Sequence, residues 1–135
     1  SDGAGVSKLL LGGITPNPDR EPSISKTSLG AEICVPWHYF ANLPSALRDL
    51  KKEGCQILTL ESTPEAKSLW DFDFMPTQTN QIVLVVGSEP AGADPAILRI
   101  SDEVLFIPMA GEKASLNVSV AFGIAAYFLL RLVQK

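Results

Sequence analysis

Residues 81–86 read Gln-Ile-Val-Leu-Val-Val and end on Gly87. No polar residue alternates with the apolar ones, so this segment is not a strand with one wet face. It has the pattern of a central strand covered on both faces, as in a parallel sheet flanked by helices. Gln56–Leu60 and residues 103–107 repeat the pattern in shorter form, and residues 7–11 run into the turn pair Gly12-Gly13. Between them lie segments of helical spacing. Residues 44–53 place Pro44 in the first turn and Gly54 at the stop, residues 94–100 form a short helix, and residues 115–133 a long C-terminal one. Strands alternating with helices predict an α/β fold with a mainly parallel sheet flanked by helices.

The remaining chain is connection. Residues 15–28 hold three prolines and form a long loop, residues 29–35 are compatible with a short helix or an extended segment, and residues 62–80 are a polar connection in which Trp70, Phe72 and Phe74 provide packing. The chain has 135 residues, 46% of them hydrophobic and 19% charged, which is one domain with a proper core rather than a disordered segment. Cys34, Cys55 and His38 are too few for a Cys/His metal cluster or a disulfide framework, and both cysteines are expected as small buried hydrophobes. A net charge of −4 argues against a bare nucleic-acid binder. No signal peptide is evident at Ser1-Asp-Gly-Ala-Gly. The apolar stretch 116–130 is interrupted by Asn117 and Ser119, closed by Arg131, and short of the roughly 20 residues of a membrane span.

Parallel sheets bind ligands beyond the carboxyl ends of their strands. Three such exits stand out: Leu60-Glu61-Ser62-Thr63, Gly87-Ser88-Glu89-Pro90-Ala91-Gly92, and Ile107-Pro108-Met109-Ala110-Gly111. Gly87 would let a ligand approach the backbone closely. The C-terminal helix points free N–H groups at the same region, with Ser115 as its cap and Asn117 in its first turn. Taken singly, each residue has a plainer explanation as a strand end, a solvated acid or an N-cap. Taken together, Gly87-x-Glu89-x-x-Gly92 and the run Ile107-Pro108-Met109-x-Gly111-x-x-x-Ser115-Leu116-Asn117-Val118-Ser119 are far more specific.

That second run closely resembles the last signature motif of the SpoU (TrmH) family of RNA ribose methyltransferases. The resemblance extends to Gly5-Val6-x-Lys8-Leu9-x-Leu11-x-Gly13-x-Thr15-Pro16, and to Lys26-Thr-Ser-Leu-Gly-Ala-Glu32 followed by Val35-Pro36-Trp37. It implies a SPOUT-like α/β knot with a C-terminal trefoil knot, although knots are rare among folds in general. It also implies a homodimer with the C-terminal helix in the interface. The implied cofactor is S-adenosylmethionine, held by the main chain around Leu60, Gly87, Ile107, Ser115 and Leu116, with Glu89, Ser115 and Asn117 at polar positions near methyl transfer. The implied reaction is in-line attack of a ribose 2′-oxygen of tRNA or rRNA on the methyl group, which requires register and proton removal and no metal. The family's first motif, an Asn and an Arg on an N-terminal helix, would precede residue 7. The expectation is therefore a single SpoU-type domain over 1–135 that apparently lacks this motif and its strand and helix.

Two functional readings follow: a methyltransferase domain, or a catalytically inactive remnant that binds cofactor or RNA or serves to dimerise. A generic nucleotide-binding α/β domain ranks last, because no Gly-x-Gly-x-x-Gly follows the first strand. Trp37, His38 and Tyr39 are candidates for base stacking but fit a surface-plus-core role better. Lys51 and Lys52 fit a solvated helix face, whereas Lys113, inside the candidate cofactor loop, is placed to meet an RNA backbone. The expected location is the cytoplasm, or an organelle if a targeting segment has been removed, and no membrane is implied.

Overall fold

The computed structural model describes residues 1–76, 79–88, 91–113 and 115–134. They form two compact units, Ser1–Ala46 and Leu47–Lys135. In the first, β1 (Leu9–Gly12) pairs in parallel with β2 (Trp37–Phe40), with Leu9 opposite Trp37 and Gly12 opposite Phe40. The connection between them carries α1 (Ser23–Thr27) and α2 (Ala31–Cys34). Residues 15–28 are thus not all loop, and the 29–35 segment resolves as a short helix. Trp37–Phe40 is a strand that sequence patterning did not identify; its four residues are too few to show a period. Tyr39 donates its hydroxyl to the Gly13 carbonyl at 2.6 Å, and the Arg20 guanidinium lies 5.5 Å from the Tyr39 ring centre. Both contacts bind the long connection back onto the strand pair.

Gly12 has a steric reason. A Cβ there would lie 2.5 Å from a terminal methyl of Leu43, at the start of α3 (Leu43–Lys52). The Asn42 side chain accepts from the Ser45 N–H at 3.1 Å and so caps that helix.

The second unit holds a four-stranded sheet in the order β4 (Lys67–Ser68), β6 (Glu103–Phe106), β3 (Gln56–Leu60), β5 (Ile82–Val86), and every pairing between these strands is parallel. Strand β3 lies inside the sheet, and Ile57, Leu58 and Thr59 are fully buried. Alternate side chains face opposite ways. Leu58 and Leu60 join Leu69, Phe72, Leu105 and Leu84 in a cluster with Ala125 and Leu129 of α5 (Val118–Val133). The spacing of Ala125, Leu129 and Leu132, with Ile124 and Phe128, gives α5 its apolar stripe. Phe72 is buried as expected, but Trp70 is half exposed and meets Phe128 edge-on at 5.4 Å.

Thr59 points to the other face, where its hydroxyl bonds to that of Ser101 at 2.7 Å, just after α4 (Pro95–Ile100). Helix α4 begins at Asp94, whose carboxylate accepts from the Ala96 N–H at 2.7 Å, with Pro95 in the first turn. Asp102 then accepts from the Ile57 N–H at 2.8 Å and pairs with Lys51 at 2.8 Å, and Lys51 also donates to the Ile100 carbonyl. Lys51 is therefore a strut between α3 and the α4–β6 junction rather than a free cation on a solvated face. Cys55 is buried, whereas Cys34 is exposed, so only one cysteine behaves as a core residue. No helix among the described residues is long and apolar enough to cross a membrane.

Candidate functional site

Strands β3, β5 and β6 run the same way, so their carboxyl ends emerge together. The exits Leu60-Glu61-Ser62, Val86-Gly87-Ser88 and Phe106-Ile107 line one cleft of about 390 Å³, completed by Gly92, Met109, Ser115, Leu116, Val118 and Ala121. That volume lies within the range of small-molecule sites, which are apolar walls with a few placed polar groups. All five residues expected to hold a cofactor, Leu60, Gly87, Ile107, Ser115 and Leu116, line it.

Gly87 lines the cleft, but its lack of a side chain answers a different need from the one its sequence context implied. A Cβ at position 87 would lie 2.3 Å from the Gly92 carbonyl carbon and 2.4 Å from the Ala93 nitrogen. The backbone that comes close is the chain's own: Ser88 and Gly92 form an antiparallel bridge, with the Gly92 N–H donating to the Ser88 carbonyl at 2.7 Å. Gly92 sits at φ +72°, a conformation suited to glycine. A Cβ on it would lie 2.6 Å from Oε2 of Glu61. That same oxygen accepts from the Ala93 N–H at 2.8 Å. Glu61 is the residue that motif reading passed over. It stands in a quoted strand exit, but its partner is 32 positions away and leaves no local signal.

Ser115 and Asn117 exchange expected roles at the start of α5. Ser115 is exposed and lines the cleft, whereas Asn117 is the N-cap, its Oδ1 accepting from the Ser119 N–H at 2.9 Å. The helix thus begins at Val118, three residues later than the patterning placed it. Asn117 is not among the lining residues, and its side-chain oxygen is engaged at the start of α5. Glu89 falls outside the described residues. Lys113 is exposed, in the segment between β6 and α5.

Residues 1–127 match the model of the SpoU rRNA Methylase family. The chain belongs to this family. Among its curated relatives, the 23S rRNA (guanosine-2′-O-)-methyltransferase RlmB of Burkholderia sp is 34% identical over 97% of this chain and 51% of its own length. The 23S rRNA (guanosine(2553)-2′-O)-methyltransferase RlmP of Bacillus subtilis is 32% identical over 96% of this chain and 49% of its own length. The chain thus spans about half the length of these SpoU relatives. In three dimensions it is similar to the AdoMet-bound rRNA methyltransferase of Sinorhizobium meliloti, with a TM-score of 0.83, 26% identity, and coverage of 96% of this chain and 48% of the other. The family resemblance read from the last motif is borne out, and so is the α/β fold with parallel strands flanked by helices.

Proposed function

We propose that this chain is the cofactor-binding part of an RNA 2′-O-ribose methyltransferase that uses S-adenosylmethionine and acts on tRNA or rRNA. The observation that carries the reading is the convergence of Leu60, Gly87, Ile107, Ser115 and Leu116, drawn from four separate segments, on one cleft at the strand exits. The residues fit the group. Val86, Ile107, Leu116 and Val118 offer apolar walls for a purine, and the turns at 61–62, 87–88 and 107–109 offer main-chain groups for its polar edges. The SpoU relatives named above support the same chemistry.

When bound, S-adenosylmethionine supplies an electrophilic methyl group. The chain's part is to hold that methyl in line with a ribose 2′-oxygen, keep water out, and help the hydroxyl proton leave. Ser115, at the cleft wall, is assigned to the polar contacts around the reacting atoms. Asn117 spends its Oδ1 on the helix cap and has its amide NH₂ as the donor half for the same region. Glu89 is assigned a place near the methyl group by its motif alone. Lys113 is assigned to the RNA phosphate backbone.

The reading includes a homodimer and the α/β knot of the family. Val120, Tyr127 and Val133 of α5 are 50%, 57% and 41% exposed, an apolar set on the helix assigned to the interface. The cytoplasm is the assigned compartment, with an organelle as the alternative. The test is methyl transfer from labelled S-adenosylmethionine to total tRNA and rRNA, followed by nuclease digestion and mass analysis. A 2′-O-methylnucleoside supports the proposal, and a base-methylated product overturns it.

A further inference from the structure

Three strands deliver their ends to the cleft, and Glu61 joins two of them, β3 and β6, to the limb that follows the third. Glu61 continues β3. Its main-chain N–H donates to the Leu105 carbonyl of β6 at 2.9 Å. Its Oε2 accepts from the Ala93 N–H at 2.8 Å, on the limb that returns after β5. Its Oε1 accepts from the Ser62 N–H at 3.1 Å, so both carboxylate oxygens face backbone donors. The space for this contact exists because position 92 is glycine: any Cβ there would lie 2.6 Å from Oε2. The limb that Glu61 holds is also the one packed against Gly87, where a Cβ would meet Gly92 and Ala93 at under 3 Å.

We propose that Glu61 is a positioning residue for the cofactor site: its carboxylate braces the 92–93 limb against the β3 exit and so holds Gly87 and Ser88 in the shape that the ligand meets. The proposal rests on the cleft being the S-adenosylmethionine site. A carboxylate accepting main-chain N–H bonds is a strong tether, because hydrogen bonds to charged groups exceed neutral ones. The role runs through the acceptor oxygen and its reach, not through charge presented to the ligand.

The two possibilities separate in calorimetric titrations with S-adenosylhomocysteine. Glu61→Ala removes the acceptor and is expected to bind about tenfold more weakly than the parent, the loss that follows if the braced shape falls to about a tenth of the population. Glu61→Gln keeps one acceptor oxygen for the Ala93 N–H at the same reach but turns its NH₂ towards the Ser62 N–H, and is expected between the parent and Glu61→Ala, about threefold weaker than the parent. Glu61→Asp keeps the charge but falls short of Ala93, and is expected to resemble Glu61→Ala; it serves also if Glu61→Ala fails to fold. Amide exchange gives a readout independent of ligand: the Ala93 N–H should exchange faster in Glu61→Asp while the Ile57 N–H does not change. Parental affinity in both Ala and Asp variants overturns the proposal. So does a Gln variant as weak as Ala whose Ala93 N–H stays as protected from exchange as in the parent, which would mean that the charge acts on the ligand directly. A folded parent chain that binds no S-adenosylhomocysteine is a failure of the site assignment instead, and the Ala93 exchange then decides the brace by itself.

Discussion

Gly87 and Ser115 both line the cleft, but the structure gives each a different local role from the one patterning implied. Motif reading put Gly87 at the site because a ligand needs room there, whereas the room is taken by Gly92 and Ala93 of the same chain. Gly87→Ala is therefore expected to cost about 1–3 kcal/mol of stability, because the clash is with backbone and cannot be relieved by a rotamer. Urea denaturation measures this directly, and a change below half of that would contradict the packing described. The cysteines give a second expectation. Burial, and secondarily the Glu53 carboxylate, raise the Cys55 thiol above its usual range, whereas Cys34 is exposed. Thiolate is the reactive form. At neutral pH a maleimide should label Cys34 first, and Cys55 should follow only at higher pH or on unfolding; peptide mass mapping after timed labelling checks the order. Local sequence gives no hint of this difference: the exposed Cys34 stands between Ile33 and Val35, the buried Cys55 between Gly54 and Gln56.

Among the elements, strand β3 was legible to the residue, and β5 and β6 to within one. Their apolar residues do not alternate with polar ones, and in a flanked parallel sheet that is the whole signal. Strand β2 and helix α1 were not legible: four and five residues cover only about two strand periods and little more than one helical turn, too few to establish a repeat, and pairing with β1 and local hydrogen bonds settle them. The start of α5 was misplaced because Ser115 and Asn117 are both good caps, and the choice depends on where the 107–117 segment leaves the cleft. Asn117→Ala should lower stability by about 1 kcal/mol, with Ser115→Ala near zero, when the two are compared by thermal denaturation. A larger loss for Ser115→Ala would put the cap back where the pattern first placed it. Asp102 carries more than its surface position implies. Its carboxylate serves both the Ile57 N–H and Lys51, so Asp102→Ala should cost about 1–3 kcal/mol, through a buried-strand donor left unpaired. Lys51→Met should cost no more than about 1 kcal/mol, because an exposed ion pair contributes little.

At the scale of the whole molecule, the sequence carried the family and the strand-exit location of the cleft, because a parallel sheet fixes where its loops gather. It did not carry what holds the loops in place. The Glu61–Ala93 tether and the Gly87–Gly92 approach link positions that no local window contains. The cleft they shape is the centre of the account, and the direct measurement is calorimetric titration of this chain with S-adenosylhomocysteine, repeated on Ser115→Trp. Position 115 is exposed, so the larger side chain should fill the cleft without disturbing the core. Saturable one-to-one binding by the parent chain is expected, with its loss in Ser115→Trp at unchanged melting temperature. A folded parent chain that binds nothing, or a Ser115→Trp variant that binds as well as the parent, would contradict it.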